Sequence, residues 1–100
     1  MRIVYTREAK ADLDELRSYL APLSPTGLAN VVAAIEAKVI LAAENPAIGR
    51  PSPRDDVREM IEPKYGFLIP YAVKMDRLFV LRIYRSTRTP LKYGEMDVPS

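Results

Sequence analysis

Two helical patterns lie so close together in this chain that they must fold back on one another. From Arg7, the apolar residues Ala9, Leu13, Leu16 and Leu20 recur at helical spacing, while Lys10, Asp12, Asp14, Glu15 and Arg17 fall mostly on other faces. Thr6 is placed to cap this helix and Glu8 suits its first turn; Pro22 ends it near Ala21. Ser24-Pro25 starts a second helix, with serine as the cap and proline where a missing N–H costs nothing. Leu28, Val31, Val32, Ile35, Val39 and Ala42 then form a stripe, and Ala33, Ala34, Ala37 and Ala43 allow close approach. With only a few residues between them, the helices pack as an antiparallel hairpin. Its apolar side needs a cover.

The rest of the chain supplies strands. Met1–Tyr5 (MRIVY) is β-branched and aromatic, a short strand before the hairpin. Asn45-Pro46 ends the second helix, and PAIGRPSP is a turn-rich connection into the stretch Val57–Arg88. That stretch reads as a three-stranded antiparallel meander. Val57–Pro63 is its weakest member, because Glu59 and Glu62 blur the alternation. After a turn at Lys64-Tyr65-Gly66, Phe67, Ile69, Tyr71 and Val73 share one face of the next strand. Pro70 conflicts with a central place for that strand, since proline cannot donate to a ladder and belongs at an edge or a bulge. Beyond Met75-Asp76-Arg77, the strand Leu78–Tyr84 places Phe79, Leu81 and Ile83 on one face, with Arg85 next in the same phase on the side of the helices.

The expected architecture is α+β in the order β-α-α-β-β-β, an N-terminal strand and an antiparallel αα-hairpin packed on an antiparallel sheet. Residues 1–100 form a single domain, with a tail at 94–100 expected to be loosely held.

Composition narrows the chemistry. Cysteine and histidine are both absent, which removes disulfides, thiolate nucleophiles, imidazole acid–base catalysis and the commonest zinc sites. We expect no cofactor and no metal, since Asp55, Asp56 and Glu59 lie beside Arg54 and Arg58 and read as a solvated turn. No stretch reads as apolar over the length of a membrane helix, so a cytoplasmic protein without membrane contact is expected. The net charge of +2 hides an uneven distribution. Residues 50–92 carry ten Lys/Arg against five Asp/Glu, which suits phosphates or an acidic partner.

The order of elements, with PAIGR before the sheet, VRE opening it, YGFLIPYAV in its middle and LFVLRIYRSTR at its end, resembles the RelE/ParE superfamily of type II toxins. It is most similar to the ParE branch and covers nearly the whole chain. The resemblance implies a toxin encoded beside an antitoxin, ParD-like or similar, that neutralises it by wrapping the helical hairpin and the sheet; Leu13, Leu16, Leu20, Leu28 and Val32 are the expected antitoxin contacts. ParE-like toxins act on DNA gyrase and are not themselves enzymes. RelE-like relatives are metal-independent endoribonucleases that cut messenger RNA on the ribosome. A binding module derived from this fold is a third reading. Little lysine lies on the sheet besides Lys64 and Lys74, which favours the ParE branch.

The candidate residues follow from the basic strand end. Arg82, Arg85 and Arg88 are expected target contacts, because a guanidinium binds phosphate or carboxylate through two parallel hydrogen bonds. A cross-strand pair with Glu59 or Glu62 accounts for Arg82 equally well. On the ribonuclease reading, Arg85, Arg58 and Tyr93 are the catalytic set.

Overall fold

A computed structural model of the chain describes residues 1–87 and 89–99. Strand β1 (Arg2–Tyr5) leads into helices α1 (Arg7–Leu20) and α2 (Pro25–Glu44), then β2 (Arg50–Pro51), β3 (Arg58–Glu62), β4 (Phe67–Lys74), β5 (Arg77–Val80) and β6 (Tyr84–Arg85). A 3-10 turn, Tyr93–Glu95, follows. Both helix starts form as their sequences dictate. The Thr6 hydroxyl accepts from the Ala9 N–H at 3.2 Å and the Ser24 hydroxyl from the Gly27 N–H at 2.9 Å.

The sheet runs β1-β5-β4-β3-β2, with β6 also paired to β4. The meander β3-β4-β5 is antiparallel, while β1 joins the edge of β5 in parallel, Ile3 opposite Leu78 and Tyr5 opposite Val80. The sheet is therefore mixed. The helical hairpin between β1 and the meander gives the chain length to cross over, as a parallel neighbour requires.

Each face of the sheet has its own core. On the helix side, Val31, Ile35, Val39 and Ala42 of α2 pack against Met60, Ile69, Tyr71, Leu78 and Val80. By length and composition α2 could cross a membrane, contrary to the expectation from sequence; in the fold its buried stripe lies in this core. On the outer side, Val57, Ala72, Phe79 and Leu81 pack with Tyr93, and Leu91, Met96 and Val98 close over them. The Arg54 guanidinium holds that cover by donating to the carbonyls of Tyr93 and Met96 at 3.0 and 2.7 Å.

The expected last strand, Leu78–Tyr84, is broken, and Pro70 explains the break. Tyr71 pairs with Val80 and Leu68 with Tyr84, so Leu81, Arg82 and Ile83 stand opposite only Ile69 and Pro70. One extra residue in one strand is a β-bulge. Leu81 N–H donates to the Pro70 carbonyl at 2.9 Å, so Pro70 turns its backbone polar groups toward this strand and has no proton to return. The Leu81 carbonyl finds a substitute donor in the Thr6 hydroxyl at 3.1 Å. Pro70 is thus tolerated in a central strand because the ladder is bulged on its donor side.

The bulge also corrects the expected faces. Leu78, Val80 and Ile83 lie with the helix-side core, whereas Phe79 and Leu81 belong to the outer one. Without the extra residue, strict alternation from Val80 would send Ile83 and Arg85 outward. With it, both return to the helix side.

Candidate functional site

The bulge sits at one end of the sheet, against the N-terminal half of α1. Asp12, on what the sequence suggests is a solvent face, here accepts from Arg82 Nε at 2.7 Å, from Arg82 Nη2 at 3.0 Å and from the Ile83 N–H at 2.9 Å. Asp12 thereby satisfies a backbone donor that the bulge leaves without a ladder partner, and pins α1 to the sheet. The pairing raises the Arg82 pKa above its ordinary value, chiefly through the Asp12 hydrogen bonds and against the cost of burial. Arg82 is therefore engaged within the chain. Its partner is neither Glu59, which pairs with Arg50 at 2.7 Å, nor Glu62, which accepts from the Lys64 and Tyr65 N–H groups.

Three residues on, Arg85 has the opposite environment. It is exposed, lies opposite Phe67 on β4, and holds its guanidinium carbon 5.1 Å from the centre of the Phe67 ring. Among the described residues no ion pair fixes it. It opens onto a cleft of about 480 Å³ walled by Asp12, Glu15, Leu16 and Tyr19 of α1 and by Phe67 and Ile83 of the sheet. The cleft can present one guanidinium, stacked on an aromatic ring, to an anionic or carbonyl group of a partner.

The proposed catalytic set does not come together. Arg58 is on the same face as Arg85 but opposite Tyr71, four residues along β4 from Phe67, a separation of roughly 13 Å along the strand. Its Nη1 donates to the Gly49 carbonyl at 2.7 Å. Tyr93 is buried in the outer core, on the other side of the sheet from Arg85. Arg88 lies outside the described residues.

The PAIGR turn is a structural part that the sequence marks only as a motif. Tyr71 donates to the Pro46 carbonyl at 2.6 Å and accepts from the Gly49 N–H at 3.0 Å. A Cβ at Gly49 would lie 2.5 Å from the Tyr71 hydroxyl oxygen, so only glycine fits there. Arg58 then clips the far side of the same turn.

Of the expected antitoxin contacts, Leu13 and Val32 line one groove, bounded by α1, α2 and the free edge of β1, with Ile3, Tyr5, Val39 and Ile40. Leu16 lines the Arg85 cleft instead, and Leu16 and Leu20 pack on the helix-side core. Leu28 is half-buried on α2 outside that groove. Sequence reasoning missed Asp12 and Phe67 as parts of the site. Pro70 was the available signal, since a bulge opposite it shifts which residues share the face of Arg85.

Comparison with known proteins agrees with this architecture. A family model described as the ParE toxin of the type II toxin-antitoxin system, parDE, matches residues 3–90. The chain belongs to the ParE toxin family. It is 37% identical over 75 residues to a Sinorhizobium fredii protein named "Putative toxin Y4kP", which covers 75% of this chain and 78% of that relative. It also resembles a solved chain titled "Chromosomal ParDE TA system from P. aeruginosa", with a TM-score of 0.72 and 32% identity, covering 85% of this chain and 95% of the other. Both likenesses extend over most of each partner, so the ParE fold accounts for nearly the whole molecule.

Proposed function

We propose that this ParE-family chain is a growth-arresting toxin that acts in the cytoplasm on DNA gyrase and is silenced by a cognate antitoxin. The observation that carries the choice of gyrase over messenger RNA is the separation of the ribonuclease set. Arg58 stands roughly 13 Å from Arg85 along the strand and Tyr93 lies across the sheet, too far apart to act on one phosphate. Arg85 is the leading target contact, and Asp12 with Arg82 positions it by fixing the bulge. The antitoxin fits the groove beside β1, where apolar side chains meet an unpaired strand edge suited to an added extended segment.

The test is to assay the purified chain against gyrase for trapped DNA cleavage and against translating ribosomes for cut transcripts. We expect cleavage complexes to accumulate and transcripts to stay intact. Cut transcripts with unaffected gyrase would overturn the reading. Arg85→Ala should reduce gyrase inhibition about tenfold or more while leaving the fold intact, the loss expected when a charged hydrogen-bonding contact worth about 1.5–3 kcal/mol is removed. Asp12→Ala should weaken inhibition in the same direction.

A further inference from the structure

At the opposite end of the sheet from Arg85, three cations stand side by side. Arg2 of β1 pairs in register with Arg77 of β5, and Arg77 pairs with Lys74 of β4. Directly opposed residues share a face, and these three share the outer one with Val4, Phe79 and Ala72. Like charges directly across strands destabilise a sheet, so the fold alone gives no reason for two such pairs in a row. Of the three, among the described residues only Lys74 has a carboxylate, that of Asp56 at 3.8 Å, and Arg54 also holds that carboxylate at 2.8 Å. Arg2 and Arg77 are exposed and, among the described residues, have no ion-pair partner.

Between Lys74 and Arg77 the chain turns through Met75 and Asp76, both left-handed with φ of 51° and 57°. Two successive positive φ values make the tight hairpin that brings the closing pair of cations together. Met75 stands at the tip, 69% exposed.

We propose that the row Arg2-Arg77-Lys74 is a second contact surface of this protein, one that binds the phosphate backbone of duplex DNA. A row of strands spaced about 4.8 Å apart carries the three charges over roughly 10 Å, close enough for one stretch of backbone to meet all of them. A protein partner would need apolar anchors buried at the centre of its interface, and the exposed apolar residues next to this row, Met1, Val73 and Met75, are single side chains at a strand end or the hairpin tip, with Val73 on the opposite face. A polyanion binds such an open cationic row through release of its counterions, with no apolar burial. The surface is separate from the Arg85 cleft and does not depend on gyrase being the target.

The experiment is fluorescence anisotropy of a short labelled DNA duplex of arbitrary sequence with the purified full chain, across a salt series. The variant Arg2→Gln/Lys74→Gln/Arg77→Gln is run beside a control, Lys38→Gln/Lys64→Gln/Lys92→Gln, that removes equal charge elsewhere. Three lost phosphate contacts lower the salt slope by about 2.7, so between about 50 and 200 mM salt the native chain should lose about 40-fold more affinity than the row variant. The control should keep the native slope. The row variant should also melt at an equal or higher temperature, because like-charge neighbours have been removed. No binding by the native chain, equal slopes in chain and row variant, or an equal loss in the control would each overturn the proposal. So would a lowered melting temperature in the row variant, which would assign the cations to the fold.

Discussion

The two faces of the sheet solve one problem by different means. The helix face is closed by α1 and α2, whose apolar residues recur with helical period and whose buried phenol, Tyr71, is hydrogen-bonded both as donor and as acceptor. The outer face is closed by an irregular tail held through Arg54, and its buried phenol, Tyr93, has a hydroxyl with no partner among the described residues. A periodic cover satisfies its polar groups as part of its geometry. An irregular cover must find each partner separately, and among the described residues this one leaves a group unmatched.

The largest expected effect is on the helix face. Ile35 is 1% exposed at the centre of that core, so Ile35→Ala should destabilise the chain by about 2–5 kcal/mol in urea unfolding. Met96→Ala on the half-buried outer cover should cost about 1 kcal/mol, since part of the side chain already meets water. Equal costs would break the contrast and make the tail as much a part of the core as α2.

Next is Tyr71→Phe. It strands the Gly49 N–H and the Pro46 carbonyl, and should cost about 1–3 kcal/mol near neutral pH. Burial raises the Tyr71 pKa above its ordinary value of 10.0, with the Gly49 N–H and the Arg58 charge pulling the other way. The folded state therefore keeps this proton after the unfolded chain has lost it. Stability from Tyr71 is complete below pH 10 and falls as the pH rises beyond it. Burial raises Tyr5 in the same direction, with Glu36 adding to it. Unfolding midpoints at pH 7 and above pH 10 should thus show a decline that is shallower in Tyr71→Phe but not abolished, because Tyr5 remains.

The contrast between the faces also explains what the sequence could reveal. The helix stripe, both caps and the alternation of β4 are local patterns, each fixed by a few neighbouring residues, and they carry straight through to the structure. The parallel pairing of β1 with β5 joins residues some 75 positions apart, and no local pattern records it. At the candidate site, the helix-side place of Arg85 is legible from its phase with Ile83, although the route through Phe79 and Leu81 is not, because the bulge changes the phase between them. From sequence Asp12 is a solvent-facing charge, because its partners, Arg82 and the Ile83 N–H, come within reach only once the bulge has formed. Tyr93 and its neighbours follow no period, so the outer cover had no signature to read.

The smallest effect has the opposite sign. Tyr93→Phe removes only the hydroxyl oxygen, keeps the ring against Val57, Ala72, Phe79 and Leu81, and deletes a buried polar group that makes no hydrogen bond among the described residues. An unsatisfied buried hydroxyl costs about 1–3 kcal/mol, and part of that should return on its removal, so the variant should be more stable by about 1 kcal/mol. Tyr71→Phe performs the same chemical edit on the other face and should lose stability. If Tyr93→Phe is destabilising instead, its hydroxyl has a partner in solution, and the outer face is as fully satisfied as the inner one. If cells expressing Tyr93→Phe are also arrested as fully as cells expressing the native chain, the phenol takes no part in the proposed action at Arg85, which lies across the sheet from it.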